Sequence, residues 1–184
     1  MSYIYSFTPI EDARATLLIL GSMPGEASLR AGEYYAHPRN HFWRMLGTLI
    51  PLDPAAPYAQ RIAALKASHI ALWDVLHGCK RAGSLDANID KASHIPNDFA
   101  AFFAQHANIT HVFFNGSAAE QIFRRKVLPF LNLPHLVYLR LPSTSPANAS
   151  YSFERKLEAW QLIVQRDPGS GVEAGEELQF LQRN

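Results

Sequence analysis

Four short apolar runs fix the fold class. They lie at residues 16–20, 69–75, 111–115 and 136–141, each of strand length and rich in aliphatic, β-branched or aromatic side chains. Near-continuous apolar runs of this kind predict strands buried on both faces of a sheet. Between the runs, apolar residues recur at helical spacing. Phe42, Met45, Leu46 and Leu49 share one face, with Pro51 as the stop. Tyr58, Ile62 and Leu65 mark a second helix, and Phe99, Phe102 and Phe103 a third that Asn97 begins. Residues 117–131 predict a fourth, carrying Ile122, Phe123, Val127 and Leu128; Phe153, Leu157, Trp160 and Val164 line a fifth. Strands alternating with helices predict an α/β fold of three layers, α/β/α, around a central four-stranded, mainly parallel sheet.

At 184 residues the chain is long enough for one domain with a substantial core, expected over residues 1–166. Asp167-Pro168-Gly169-Ser170-Gly171 ends the last helix, and residues 167–184 read as a tail with a short helix at 176–181. No apolar run approaches the roughly 20 residues of a membrane span. The start, Met1-Ser2-Tyr3-Ile4-Tyr5, lacks the basic and apolar regions of a secretion signal. A cytoplasmic location is expected. The single Cys79 excludes an intrachain disulfide and any cysteine-based zinc or iron–sulfur site. His37 and His41 are four apart, but Pro38 keeps them from sharing a helical turn, so no metal or other cofactor is expected.

The first apolar run ends in Gly21-Ser22-Met23-Pro24-Gly25. Such a turn places exposed backbone N–H groups at the lip of a sheet, where ligands of α/β proteins bind. Neither a Gly-x-Gly-x-x-Gly fingerprint nor a Lys-Ser/Thr pair follows, and an ordinary βα turn accounts for it equally well. About a dozen residues on, Tyr34-Tyr35-Ala36-His37-Pro38-Arg39-Asn40 precedes the first predicted helix. Two adjacent tyrosines cannot both face inward from a loop, so one lines a cleft and offers a stacking surface. Asn40 fits two roles, N-cap of a helix beginning at His41 or an amide facing that cleft. Asp74 and Asn115 end two of the strands. Each serves as a cap or turn residue, or as a polar group in a site. After the fourth strand, Leu141-Pro142-Ser143-Thr144-Ser145-Pro146 puts Ser145 and Pro146 where a helix N-cap and first residue would stand. The same hydroxyls suit phosphate binding.

Net charge is only +1, a weak sign of a nucleic-acid partner, yet the cations gather: Arg39 with Arg44, Lys80-Arg81, residues 124–126, Arg140, and Arg155-Lys156. The 124–126 cluster reads as a solvated helix face. Arg39 and Arg140 differ in standing beside motifs.

Together these segments resemble the uracil-DNA glycosylase superfamily. The turn at 21–25 is similar to its first motif, and residues 141–146 to its second, DNA-intercalating motif. The stretch from Tyr35 to Arg44 resembles the mismatch-specific uracil glycosylase branch. The combination, with Met23 where most members carry Asn or Asp, looks most like the hypoxanthine-DNA glycosylase branch, over roughly residues 14 to 165. In place of a His that often opens the second motif stands Leu141. The resemblance implies a monofunctional, cofactor-free glycosylase that flips a deaminated base, above all hypoxanthine, out of DNA and hydrolyses its N-glycosidic bond with water. It implies that Asn40 orients the water and Tyr35 stacks on the base. Asp74 reads the base, with Asn115, Ser22 and Met23 in the same pocket. Ser143, Thr144, Ser145, Arg39 and Arg140 hold the DNA. The partner expected is DNA containing deaminated bases, the protein a monomer without membrane contact. A uracil or thymine mismatch glycosylase and a lesion-binding protein without catalysis are the rival expectations.

Overall fold

The computed structural model describes residues 2–165, and the expected tail and its short helix lie outside them. In chain order the strands are β1 (Tyr3–Tyr5), β2 (Leu17–Gly21), β3 (Ile70–Asp74), β4 (Leu76–Lys80), β5 (Ile95–Pro96), β6 (His111–Asn115) and β7 (Val137–Leu141). The α-helices are α1 (Glu26–Ala31), α2 (Phe42–Leu49), α3 (Tyr58–Ala67), α4 (Phe99–Gln105), α5 (Ser117–Lys126) and α6 (Phe153–Trp160). The four predicted strands form one parallel sheet in the order β3-β2-β6-β7.

Alternation along these strands divides the core in two. Leu18, Leu20, Ala71, Trp73, Val112 and Phe114 face one way, onto Phe99, Phe102 and Phe103 of α4 and Ile122 and Phe123 of α5. Leu17, Ile19, Ile70, Leu72 and Phe113 face the other way, onto α2, Leu65 of α3 and Trp160 of α6. Both faces of β2 are covered, which is why its whole run is apolar and fully buried. No helix among the described residues is long and apolar enough to cross a membrane.

The structure departs from expectation at several ends. Ser145 and Pro146 begin no helix. The Asn148 N–H bonds back to the Ser145 carbonyl, closing a turn, and α6 starts only at Phe153, capped by Ser152. Asp98, not Asn97, caps α4 by accepting from the Ala101 N–H. The fourth helix stops at Lys126 and passes into a 3₁₀ turn over Leu128–Phe130, because Pro129 has no N–H to continue the ladder. Past α6 the chain tightens into another 3₁₀ turn, Gln161–Ile163, which leaves Val164 47% exposed rather than on the apolar face. A second, antiparallel sheet β1-β4-β5 was not foreseen. Its strands β1 and β5 are short, and Gly78 interrupts the alternation of β4 because a Cβ there would come 3.0 Å from the Tyr5 ring.

Candidate active site

Parallel strands bring their carboxyl ends to one edge, so Gly21, Asp74, Asn115 and Leu141 stand in a row there. From β2 the chain goes to β3 on one side and later to β6 and β7 on the other. The switch point of the sheet therefore falls beside Gly21, where ligands bind in open α/β sheets. A hollow of about 370 Å³ opens there, lined among others by Gly21, Ser22, Met23, Tyr35, Asn40, Asp74 and Asn115.

Asp74 is the hollow's buried carboxyl, 3% exposed. Its Oδ2 has no hydrogen-bond partner among the described residues. A Cβ on Gly21 would collide with Asp74 Oδ1 and come within 3.0 Å of the Tyr35 hydroxyl, so only glycine ends β2 here. Burial first, then the nearby Asp86 carboxylate, pushes the Asp74 carboxyl up to about 8, while Arg81 opposes the shift. Arg81 is a buried cation, 5% exposed, beneath the 21–25 turn. Its Nε donates to the Gly83 carbonyl (2.8 Å) and its Nη2 to the Pro24 carbonyl (2.5 Å). Asp86 accepts from the Ser22 hydroxyl at 2.6 Å. Though exposed as a residue, Asp86 has enough protein around its carboxyl for desolvation to raise it, against the pull of Ser22 and Arg81. Arg81 and Asp86 thus belong to the site, and sequence reasoning missed both. The signal available was a basic residue closing one strand and an acid five residues on.

The two tyrosines part company. Tyr34 is buried, with its hydroxyl on the Thr8 carbonyl and its N–H on the Tyr58 hydroxyl. Tyr35 is held at φ 55°, a left-handed conformation that strains a tyrosine. One face of its ring stacks on Phe42, centroids 3.9 Å apart. Its buried hydroxyl has no hydrogen-bond partner among the described residues. Burial and then Asp74 push that hydroxyl far above its ordinary range, the neighbouring Asn115 amide opposing them.

Asn40 is not the N-cap of α2, a position that His41 holds, but it stands one residue ahead of it at the edge of the hollow. Its Oδ1 accepts from the Phe42 N–H at 3.0 Å, tying off a helix that starts one residue later than expected. The residue also lines the hollow, and its Nδ2 makes no hydrogen bond among the described residues. Ser22 and Met23 line it too, both nearly buried.

The loop after β7 corrects one expectation. Thr144 is fully buried, so its side chain cannot reach a phosphate. Its hydroxyl accepts from Asn115 Nδ2 and its N–H donates to Asn115 Oδ1, both at 2.9 Å. Asn115 fastens this loop with one of its two amide N–H groups and one oxygen lone pair, and it still lines the hollow. The Thr144 carbonyl accepts from the His41 N–H (3.0 Å), which joins the loop to the start of α2. From beneath, Lys156 donates to the Asn148 carbonyl (2.7 Å) and Trp160 to the Pro142 carbonyl (2.9 Å). Ser143 and Ser145 remain partly exposed. Their hydroxyl oxygens accept from backbone N–H groups of the turn, leaving each O–H to donate. Arg39 is exposed between His37 and Asn40 of the rim and has no ion pair among the described residues. Arg140 lines a larger adjoining cleft of about 550 Å³ and is paired with Glu120 at 3.2 Å.

A recess with an aromatic wall, a buried carboxyl and an amide at its lip suits a flat polar ring attached to something held outside. Residues 8–164 match the model of the uracil DNA glycosylase superfamily. A hypoxanthine DNA glycosylase of Methanosarcina barkeri is 43% identical over 111 residues, 60% of this chain and 69% of that one. A hypoxanthine DNA glycosylase of Methanosarcina acetivorans is 33% identical over 85% of this chain and 95% of its own length. The solution NMR structure of a Methanosarcina acetivorans protein, provisionally assigned as a uracil DNA glycosylase, superimposes with a TM-score of 0.75 at 29% identity. It covers 88% of this chain and 96% of that one. The chain belongs to the uracil DNA glycosylase superfamily. It is a DNA glycosylase, a hydrolase acting on N-glycosyl bonds.

Proposed function

We propose that this glycosylase removes hypoxanthine from DNA, taking the deoxyinosine base out of the stack and into the hollow. The observation that carries the reading is the unpartnered, buried oxygen of Asp74 between Tyr35 and the 21–25 turn. The names of the two relatives point to the same base. Deamination replaces the N1 acceptor of adenine with an N–H. Ionised or neutral, the Asp74 carboxyl accepts from that N–H. A neutral carboxyl pairs with adenine as readily, donating its O–H to N1 and accepting from the 6-amino N–H, so the discrimination belongs to the ionised form. Ionised, it opposes the N1 lone pair of adenine, a mismatch costing on the order of 1–3 kcal/mol or more.

Asn40 orients the attacking water through Nδ2 beneath the sugar. The water adds to C1′ as the bond to the base breaks, and the departing base takes the bonding electrons. Backbone N–H groups at residues 22 and 23 receive that developing negative charge. No nucleophilic side chain is needed, because the sugar passes through an oxocarbenium-like state. Tyr35 covers one face of the base. Ser143, Ser145 and Arg39 hold phosphates at the rim, and Thr144 and Asn115 keep their loop in place.

Uracil presents the same N–H beside a carbonyl, so the deciding assay compares duplexes carrying deoxyinosine, deoxyuridine or a thymine mismatch and counts abasic sites. Release of hypoxanthine ahead of the other bases is expected. Release of uracil or thymine alone overturns the substrate, and tight binding without any release overturns the catalysis.

A further inference from the structure

The hollow and the larger cleft beside it share six lining residues, three at 84–86 and three in the loop after β7. Five of these are Ser, Asp or Ala. The sixth is Leu85, 53% exposed. A single exposed leucine is ordinary on a protein surface. What distinguishes this one is how firmly its neighbours are tied. Ser84 accepts from the Glu26 N–H at 2.9 Å, and Asp86 accepts from Ser22 at 2.6 Å. The Leu85 carbonyl accepts from the Asn88 N–H (3.0 Å), and Asn88 Nδ2 donates to the Ala82 carbonyl (3.1 Å). Gly83, at φ 70°, makes the tight bend, and Arg81 grips its carbonyl. A loop tethered on both sides of its one large apolar side chain holds that side chain out at the ridge between two cavities.

We propose that Leu85 is the wedge that enters the duplex and fills the place of the flipped base. The inference rests on the glycosylase reading above. Removing a base from the stack costs a few kcal/mol, and DNA-deforming proteins offset it by inserting an apolar side chain between base steps. In the loop after β7, which resembles the intercalating motif, Thr144 is buried, Ser143, Ser145 and Ala147 are small, the exposed Pro146 is shorter than a leucine, and Tyr151 lies at the far end in the larger cleft with Arg155 over its ring at 5.4 Å. On this chain the wedge comes from the opposite lip, and the β7 loop holds phosphates.

The test compares wild type, Leu85→Ala and Leu85→Phe on deoxyinosine in a duplex and in the same strand alone, where no stack needs refilling. Leu85→Ala should lower the duplex-to-single-strand ratio of single-turnover rates by about tenfold or more, the scale of burying one leucine side chain. Leu85→Phe, still an apolar wedge, should keep that ratio near the wild-type value. An unchanged ratio in Leu85→Ala overturns the proposal. A second assay does not depend on the substrate. On a duplex with a tetrahydrofuran abasic analogue opposite 2-aminopurine, saturating wild type should raise the fluorescence and Leu85→Ala should not. An equal rise in both overturns the wedge, whereas failure of wild type to release hypoxanthine from either strand overturns only the substrate reading.

Discussion

Asn40 carries two duties on one side chain, and they can be separated chemically. Its Oδ1 accepts from the first N–H of α2, while its Nδ2 makes no hydrogen bond among the described residues and the residue lines the hollow. Asn40→Ala should lose both, costing about 1 kcal/mol of stability through the missing hydrogen bond to the Phe42 N–H. It should also slow base release by about 100-fold or more through the lost water contact. Asn40→Ser keeps an accepting oxygen and lacks the amide. Thermal melting near wild type with base release still impaired is the expected result, and full activity in Asn40→Ser would refute the water-positioning role. Asp74 makes a second prediction, through pH. Its folded pKa, about 8, lies above the ordinary 3.8, so the folded state holds the proton more tightly. The stability this contributes is fully present below about pH 4 and is lost as pH rises through 8. Asp74→Asn has no such charge to bury. The melting temperature of Asp74→Asn minus that of wild type should therefore grow between pH 4 and pH 8, and a flat difference would show the carboxyl ionises normally. In the same variant series, Asp74→Ala should narrow the preference for hypoxanthine over adenine, measured as the ratio of kcat/KM values.

At the scale of elements, α6 matters less for its apolar face than for what its two donors hold. Lys156 and Trp160, one turn apart, take the carbonyls at the two ends of the loop from Pro142 to Asn148. Lys156 is almost wholly buried, and burial pulls its ammonium below the ordinary range, yet it keeps a charge-assisted bond to the loop. Trp160→Phe preserves most of the packing and removes one tie. Duplex affinity should fall by about tenfold, the scale of one lost buried hydrogen bond, with base release from saturated complex less affected. A drop confined to kcat would place the loop's importance in the chemistry instead. Of the elements that sequence periodicity missed, α1, β1 and β5 are short, whereas β4 is as long as the predicted strands but carries His77, Gly78 and Lys80 in place of an apolar run. A six-residue helix or a three-residue strand carries too few repeats to show a period, and tertiary contacts decide its state.

Across the whole molecule the small net charge means that DNA affinity comes from a few placed cations and hydroxyls rather than from a broad basic field. Each phosphate contact made by a cation steepens the fall of log K with log salt by about 0.9 for duplex DNA. Arg39→Ala should flatten that slope by about this amount. Arg140→Ala should flatten it less, because Glu120 already neutralises part of its charge. Equal slopes for wild type and Arg39→Ala would remove Arg39 from the DNA interface.

The parallel sheet, its helical cover and the row of polar residues along one edge follow from local pattern alone. Buried strands must be apolar throughout, helices must repeat at 3.6 residues, and a strand of known register delivers its last residue to a known edge. Gly21, Asp74 and Asn115 could therefore be placed at the lip of the sheet before any coordinates. Pattern could not say what each polar group does with its hydrogen bonds, because partners such as Asn115 and Thr144, or Ser22 and Asp86, are far apart in the chain and meet only when the sheet closes. That pairing buried Thr144, tied Asn115 to the loop after β7, and recruited Arg81 and Asp86. It left Asp74 with an oxygen that no hydrogen bond among the described residues satisfies.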